Sequence, residues 1–467
     1  MNHLNKISVI VVIFLCIAFR LIFFGIEQPW NPEVVQNIIL QDDALGYHKL
    51  AVTMLESHRF AYSDLDPPDA IRTPLFPLFL SFNYWLFGER PWAAILGQIF
   101  VSTLSCIVLL LTFSRMFGSR IALIASCFYA IDPNNSLYSV TLLSDILFVF
   151  FLALVLYALS VAVTSASPRK TLFCYALLGV TVGMATLVRP VAQYIPLVTI
   201  VFLIVLYRHQ ISKAVVYSII FLALFAVTIS PWIYRNHVNF GYLSLSTAGS
   251  AIMVYDMEKF KHNQDIHRNL IIRQELASEA KKMMVADGKR PEEMNLFQQG
   301  DYWKRLAIKN IKQDPIGFAR LYSVRLFDSL FRLKTGIYAQ TLQYPATLVD
   351  ARDHWSFTAL LRTFLRERKG FWELLLACVT AMFLFIYYLG LIVGLVVARK
   401  SRHSGFLAFA LLMFVYHTLL CALSLGAENR YRLPPTIFAL PFIAIGLNYL
   451  YCRIIVKKSH IITENRG

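Results

Sequence analysis

Charge is scarce in this sequence. Charged side chains make up only 15% of its 467 residues, where a soluble globular domain carries about 25%. Acidic residues are the rarer kind, 28 Asp and Glu against 44 Lys and Arg. A chain so poor in charge, 57% hydrophobic and of mean hydropathy +0.56, does not read as a soluble enzyme. A sustained alternation of apolar and polar residues is missing too, which excludes a barrel of half-lipid-facing strands. The seven cysteines (Cys16, Cys106, Cys127, Cys174, Cys378, Cys421 and Cys452) each lie in or beside an apolar stretch and show no CxxC spacing. They offer neither a disulfide framework nor a zinc site and read as packing residues. No small-x-small cleavage site follows the first apolar run, which ends near Ile26, so an uncleaved first helix is expected. Internal repeats and low-complexity tracts are absent as well.

What the chain has instead is apolar stretches of about 18–25 residues, enough to cross a hydrocarbon core of about 30 Å as helices. Backbone groups in lipid must be satisfied within the segment, so a helical bundle is expected. The expected fold class is an all-α polytopic membrane protein. Ten spans are read near 8–26, 93–113, 119–138, 144–163, 171–188, 190–207, 214–232, 373–398, 404–425 and 433–452. The third is broken in its outer half by Asp132-Pro133-Asn134-Asn135.

The net charge of +16 would suggest nucleic acid in a soluble protein. Here many basic residues flank the spans, as the positive-inside rule places them, and no nucleic-acid partner is expected. Arg115 and Arg120, Arg169 and Lys170, Arg208 and Lys213, and Arg399, Lys400 and Arg402 occupy alternate turns, on the side of Lys6, Arg453, Lys457 and Lys458. Both termini are therefore expected in the cytoplasm. Two long polar segments fall on the outer side, 27–92 and about 233–372. Three units are expected: 1–235, a transmembrane module with a catalytic first outer loop; 236–372, an outer, mainly helical domain; and 373–467, the last spans and a tail. Within the outer domain, 266–285 and 298–333 read as amphipathic helices, the latter interrupted at Pro315.

The charged residues near the membrane share one face in this topology: Asp42, Asp43, Arg72, Asp145, Arg189, Arg235, Glu428, Arg430 and Arg432. Carboxylates serve as general bases or metal ligands, and arginines clamp phosphate oxygens bidentately. Together they suit a phosphate leaving group and a hydroxyl nucleophile. Blander readings stand beside this one. Asp145 could cap a helix, Arg189-Pro190 could anchor the interface, and Glu428 could pair with Arg430. Pro231-Trp232-Ile233-Tyr234 could form an aromatic belt, and Arg20 could snorkel or line the cavity. A divalent metal stays open, with Asp42, Asp43 and Asp145 as possible ligands.

These motifs resemble the GT-C superfamily, in the branch that holds the protein mannosyltransferases and the lipid A aminoarabinose transferase. Asp43-Ala44-Leu45-Gly46-Tyr47 is similar to its acidic first-loop motif, and Arg72-Thr73-Pro74-Leu75-Phe76-Pro77 to its Arg-x-Pro segment. Ser144-Asp145, Val188-Arg189-Pro190, Pro231-Trp232-Ile233-Tyr234-Arg235-Asn236 and Asn429-Arg430-Tyr431-Arg432-Leu433-Pro434 follow in the family's order. Residues 240–370 match poorly, apart from Trp303 to Leu333.

The resemblance implies an inverting glycosyltransferase at the outer face of a bacterial inner membrane. Its donor would be a polyprenyl-phosphate sugar and its acceptor a glycolipid, glycan or protein. Asp43 would be the catalytic base. Asp42, Tyr47, Arg72, Asp145, Arg189, Arg235, Glu428, Arg430, Tyr431 and Arg432 would bind substrates. The competing readings are an O-antigen ligase or polymerase using a diphosphate donor, disfavoured by the early acidic loop, and a transporter or flippase. A transporter would carry midplane charges in repeated, broken helices.

Overall fold

The structure is a computed structural model that describes residues 5–250, 266–331, 370–423 and 429–464. Among these residues it is helical, with no strand, as the apolar runs require. In chain order the helices are α1 (Lys6–Glu27), α2 (Asp42–Glu56), α3 (Leu75–Phe87), α4 (Pro91–Phe117), α5 (Ser119–Ala130), α6 (Pro133–Tyr138), α7 (Asp145–Thr164), α8 (Pro168–Val188), α9 (Ile195–Leu206) and α10 (Ile211–Phe240). They continue as α11 (Ile266–Ala286), α12 (Leu296–Gln313), α13 (Pro315–Phe331), α14 (Gly370–Ala398), α15 (Ser404–Ala422) and α16 (Leu433–Glu464).

Seven helices among the described residues are long and apolar enough to cross a membrane. The expected spans at 119–138, 190–207 and 404–425 contain shorter apolar helices, and α3 adds an apolar helix inside the first long loop. The broken third span has a physical cause. The α5 helix stops at Ala130, and Asp132 accepts the Asn134 N–H at 2.9 Å to cap the short α6, whose first residue is Pro133. Residues 132–140 are all buried, which is how irregular backbone is tolerated at membrane depth. The charge at Arg20 is handled in the same way. It does not snorkel but points inward, donating to Ser102 Oγ at 2.8 Å and to the Cys16 and Ala130 carbonyls.

The buried centre is α7, against which α4, α8, α15 and α16 pack. Two contacts between helices rest on glycines four residues apart. Gly179 and Gly183 admit α10 against α8, and Gly390 and Gly394 admit α16 against α14. A methyl built on Gly394 would overlap the Phe442 carbonyl, so these pairs set the close approach that small residues permit in membranes.

The 266–331 stretch contains the expected amphipathic helices, broken at Pro315. Ile272, Leu276, Ala280 and Met284 of α11 form a small core with Tyr302, Leu306 and Ala307 of α12. The unit boundary expected at 235 falls inside α10, which runs on to Phe240.

Candidate active site

The site forms where α2 begins. Asp42 adopts φ +46°, a conformation Asp tolerates better than most residues, and is itself exposed. That turn delivers Asp43 into the first turn of α2, where the positive end of the helix dipole favours a carboxylate. The two oxygens of Asp43 are divided between two arginines from distant parts of the chain. Oδ1 accepts from Arg72 Nη2 at 3.0 Å, and Oδ2 accepts from both terminal nitrogens of Arg430 at 3.2 Å. The Asp43 side chain is 47% exposed, whereas Arg72 and Arg430 are each 15% exposed. The carboxylate faces the opening and the guanidiniums back it.

Each arginine is held from behind. Arg72 stacks over the Tyr47 ring at 4.9 Å and donates to the Tyr62 hydroxyl. Its backbone N–H donates to the buried Asp69 carboxylate at 2.8 Å, as does that of Ile71 at 3.2 Å. The Asp69 and Phe60 carbonyls in turn accept from Arg235. Arg430 lies over its neighbour Tyr431 at 5.0 Å and donates to the Tyr431 hydroxyl at 3.1 Å. Tyr47, one turn beyond Asp43, donates to Ser144 Oγ at 3.4 Å, and Ser144 immediately precedes Asp145.

Asp145, at the first position of α7, is 1% exposed and ion-paired with Arg189. An ion pair therefore replaces the capping role that its position suggested. Arg189 lies 5.6 Å from the centre of the Tyr431 ring, and its charge reaches both Asp43 and Arg430. Among the described residues, Arg72, Arg189 and Arg430 thus gather around Asp43 and Asp145. Burial disfavours the charged form of Asp43, but Arg430 and Arg72 outweigh it and hold the carboxyl below the usual range. Burial, reinforced by Asp69, pushes the Tyr62 phenol well up, so it stays a neutral partner of Arg72.

The structure brings together Asp43, Tyr47, Arg72, Asp145, Arg189, Arg430 and Tyr431, and leaves three candidates elsewhere. Arg235 stacks among Phe60, Trp232 and Phe240 and braces the loop that carries Arg72. Arg432 turns away from Arg430 and donates to the Leu330 carbonyl. Asp42 shapes the backbone. Glu428, with its expected pairing to Arg430, lies outside the described residues.

Three residues outside the candidate set also shape the site. Tyr62 carries no local signal. Asp69 was legible as an Asp placed to receive the N–H groups two and three residues on, a common turn. Gly46 has a steric role: the Arg72 guanidinium lies against it, 2.6 Å from where a β-carbon would sit. Gly46→Ala is expected to push Arg72 off Asp43 and lower any activity of the site several-fold while leaving the folded yield unchanged, measured on purified protein.

Among the described residues no three His, Cys, Asp or Glu side chains gather as a metal site. The Asp43 oxygens meet guanidiniums and Asp145 is bound to Arg189. The arrangement suits an anion.

Residues 71–234 match the model of the dolichyl-phosphate-mannose-protein mannosyltransferase family, which takes in Arg72, Asp145 and Arg189. No curated protein sequence matches the chain. Two solved structures of an oligosaccharyltransferase from Archaeoglobus fulgidus overlay nearly the whole chain. One is AglB with an inhibitory peptide and a dolichol-phosphate, with TM-score 0.51, 14% identity, and coverage of 98% of this chain and 52% of its own. The other is tethered to an acceptor peptide, with TM-score 0.54, 13% identity, and coverage of 97% and 51%. This chain therefore spans about half the length of those enzymes. ArnT from Cupriavidus metallidurans, bound to undecaprenyl phosphate, overlays at TM-score 0.44 and 14% identity over 94% of this chain and 77% of its own, too loosely to bear on the fold. The resemblance carried by the motifs is borne out to this extent: residues 71–234 match that family's model, and the chain shares the fold of the solved oligosaccharyltransferase.

Proposed function

We propose that this protein transfers a sugar from a polyprenyl-phosphate carrier to a hydroxyl of a glycolipid, glycan or protein. The site would face the outside of a bacterial inner membrane, with both termini in the cytoplasm. The observation that carries the reading is a half-exposed carboxylate, Asp43, held between Arg72 and Arg430 with Arg189 close by. It lies on a fold shared with an oligosaccharyltransferase solved in complex with an inhibitory peptide and a dolichol-phosphate.

In the proposed reaction the acceptor oxygen forms a bond to the anomeric carbon as the bond to the phosphate oxygen breaks. The acceptor proton passes to Asp43 and the lipid phosphate leaves as an anion. Donors already aimed at the developing charge stabilise it without reorganising. The arginines carry a second consequence. An arriving phosphate draws Arg72 and Arg430 from Asp43, which raises the basicity of the carboxylate as the donor binds. Asp145 fixes Arg189, and Tyr47 holds Arg72 and the sugar side of the site.

The test is transfer in vesicles supplied with labelled polyprenyl-phosphate sugars or their diphosphate counterparts. Label moving only from the monophosphates supports the reading. Label moving only from diphosphates would favour the ligase alternative, and label crossing the bilayer with its lipid bond intact would favour a flippase.

The electrostatics of the site have three measurable consequences. A carboxyl held below its usual range stays ionised down to acidic pH, so the free enzyme's rate should show no Asp43 limb between pH 5 and 8. Asp43 ionisation favours the folded state above the unfolded pKa, and this contribution is lost as pH falls through the depressed folded value. Arg430→Met should raise the acid limb toward the ordinary carboxylate range, read from the pH profile of residual activity. Chelation by EDTA should leave transfer unchanged, because Asp43 and Asp145 are already paired with arginines; a loss restored by added divalent ion would refute this.

A further inference from the structure

Immediately after Tyr47, α2 carries a polar side chain that no step of the proposed reaction uses. The His48 ring faces α3, with its centre 5.5 Å from that of Tyr84. Both of its nitrogens are occupied. Nδ1 lies 3.0 Å from the Tyr84 hydroxyl and Nε2 3.2 Å from Glu89 Oε1. The two partners differ in setting. Tyr84 is 2% exposed, whereas the Glu89 side chain, at the corner between α3 and α4, is 53% exposed.

The chemistry of the partners fixes the tautomer. A carboxylate only accepts, so Nε2 carries the hydrogen that is donated to Glu89. Nδ1 is then the acceptor, and the buried Tyr84 hydroxyl donates to it, as buried phenols find a partner. Burial, with Lys49 adjacent, outweighs the Glu89 carboxylate and holds the ring below its usual range, which keeps it uncharged at neutral pH. One neutral ring thus satisfies both groups and links a buried phenol to a surface carboxylate.

That link bears on the direction of α2. Tyr47, His48 and Ala51 fall within about one turn of α2, yet they meet Phe76, Tyr84 and Ser81, spread over about 12 Å of α3 at 1.5 Å per residue. The two helices therefore cross rather than run side by side. The Ser81 hydroxyl, donating to the Ala51 carbonyl at 2.8 Å, pins them near the crossing. Glu89, beyond the end of α3, holds α2 from outside that point. Asp43 lies five residues back from His48, about 7.5 Å along the axis, so a swing of about 10° moves it by roughly 1 Å. Arg72, Arg189 and Arg430 belong to other elements and do not follow such a swing.

We propose that His48 is a positioning residue for Asp43. Its bridge from Tyr84 to Glu89 sets the angle at which α2 crosses α3, and with it the reach of the Asp43 carboxylate toward the acceptor oxygen. The inference rests on the proposed reaction, in which Asp43 is the base. It matters most once the arriving phosphate has drawn Arg72 and Arg430 away, because the helix alone then holds the carboxylate in place.

The test compares monodisperse His48→Leu, His48→Gln and Glu89→Ala proteins with wild type at equal concentration in vesicles. His48→Leu should lower kcat for transfer by about 10–10²-fold, the scale of a misplacement of about 1 Å. The KM for the polyprenyl-phosphate donor should stay within about twofold, because the arginines that meet the phosphate are not carried by α2. His48→Gln, whose amide keeps a donor for Glu89, should recover most of the loss, and Glu89→Ala should lose several-fold. Alongside, nitroxides borne by an unnatural keto amino acid are placed at Glu56, the far end of α2, and at either Tyr234 or Arg169. Pulsed dipolar spectroscopy should show their distances shifted by His48→Leu and restored by His48→Gln. A His48→Leu enzyme within about twofold of wild-type kcat, a loss carried by donor KM instead, or unchanged label distances would each overturn the proposal. Wild-type protein without transfer would refute the proposed reaction, and the label distances would still decide whether His48 sets the angle of α2. Should His48→Leu not give monodisperse protein, Glu89→Ala, at an exposed side chain, decides by the same readings.

Discussion

Asp43→Asn is expected to reduce sugar transfer by at least about 10²–10⁴-fold, the range for a lost general base, with the protein inserted and folded as before. The reason lies in the geometry. An amide keeps the shape of the carboxylate and, through its oxygen, one contact to a guanidinium, but it cannot take the acceptor proton. Removal of one of the backing cations should cost less in a different way. Arg72→Met or Arg430→Met withdraws a donor from the developing phosphate charge, worth roughly 10²–10³ in rate. Steady-state transfer in membranes with matched protein levels distinguishes the two classes. An Asp43→Asn enzyme within a few-fold of wild type would remove Asp43 from the chemistry.

The second large effect falls on stability. Asp145 is 1% exposed and its partner is Arg189. Breaking a buried pair by removing one partner leaves the other charge uncompensated and costs about 3–5 kcal/mol. Arg189→Met should therefore sharply reduce the yield of monodisperse protein. Arg189→Met combined with Asp145→Leu should recover most of that yield, because the stranded charge is gone, yet stay far below wild-type activity, because the cation near Asp43 is gone as well. Detergent-solubilised size-exclusion profiles read the first effect and transfer assays the second. A double variant with wild-type activity would make this pair purely structural.

Much of this was legible because it depends on local order. Span positions follow from apolar runs that lipid leaves no alternative but to fold as helices, and the break at Asp132-Pro133 follows from a cap and a missing N–H. The amphipathic helices on either side of Pro315 were legible for the same reason. The single location of Asp43, Arg72, Asp145, Arg189 and Arg430 was foreshadowed by their common face, since topology sorts residues by membrane side before any packing is known.

What stayed hidden depends on direction in three dimensions. Arg430 and Arg432 are two residues apart in a short helical turn, and that spacing sends one to Asp43 and the other to Leu330. A sequence shows the arginines but not their divergence. Gly46 looked like ordinary motif spacing until the Arg72 guanidinium was found against it. Arg235 read as a phosphate clamp, whereas its aromatic neighbours and the Asp69 carbonyl make it a brace for the Arg72 loop. Tyr62, on an irregular loop, had no periodicity to announce it.

The central claim is a single displacement at one site, in which an acceptor hydroxyl deprotonated by Asp43 expels a lipid phosphate held by arginines. Its most direct test is the anomeric configuration of the product formed from a polyprenyl-phosphate sugar of known configuration, read by NMR. Inversion, with one polyprenyl monophosphate released per sugar transferred, is the predicted result. Retention would require a covalent or two-step route that the site was not argued to provide, and would contradict the account.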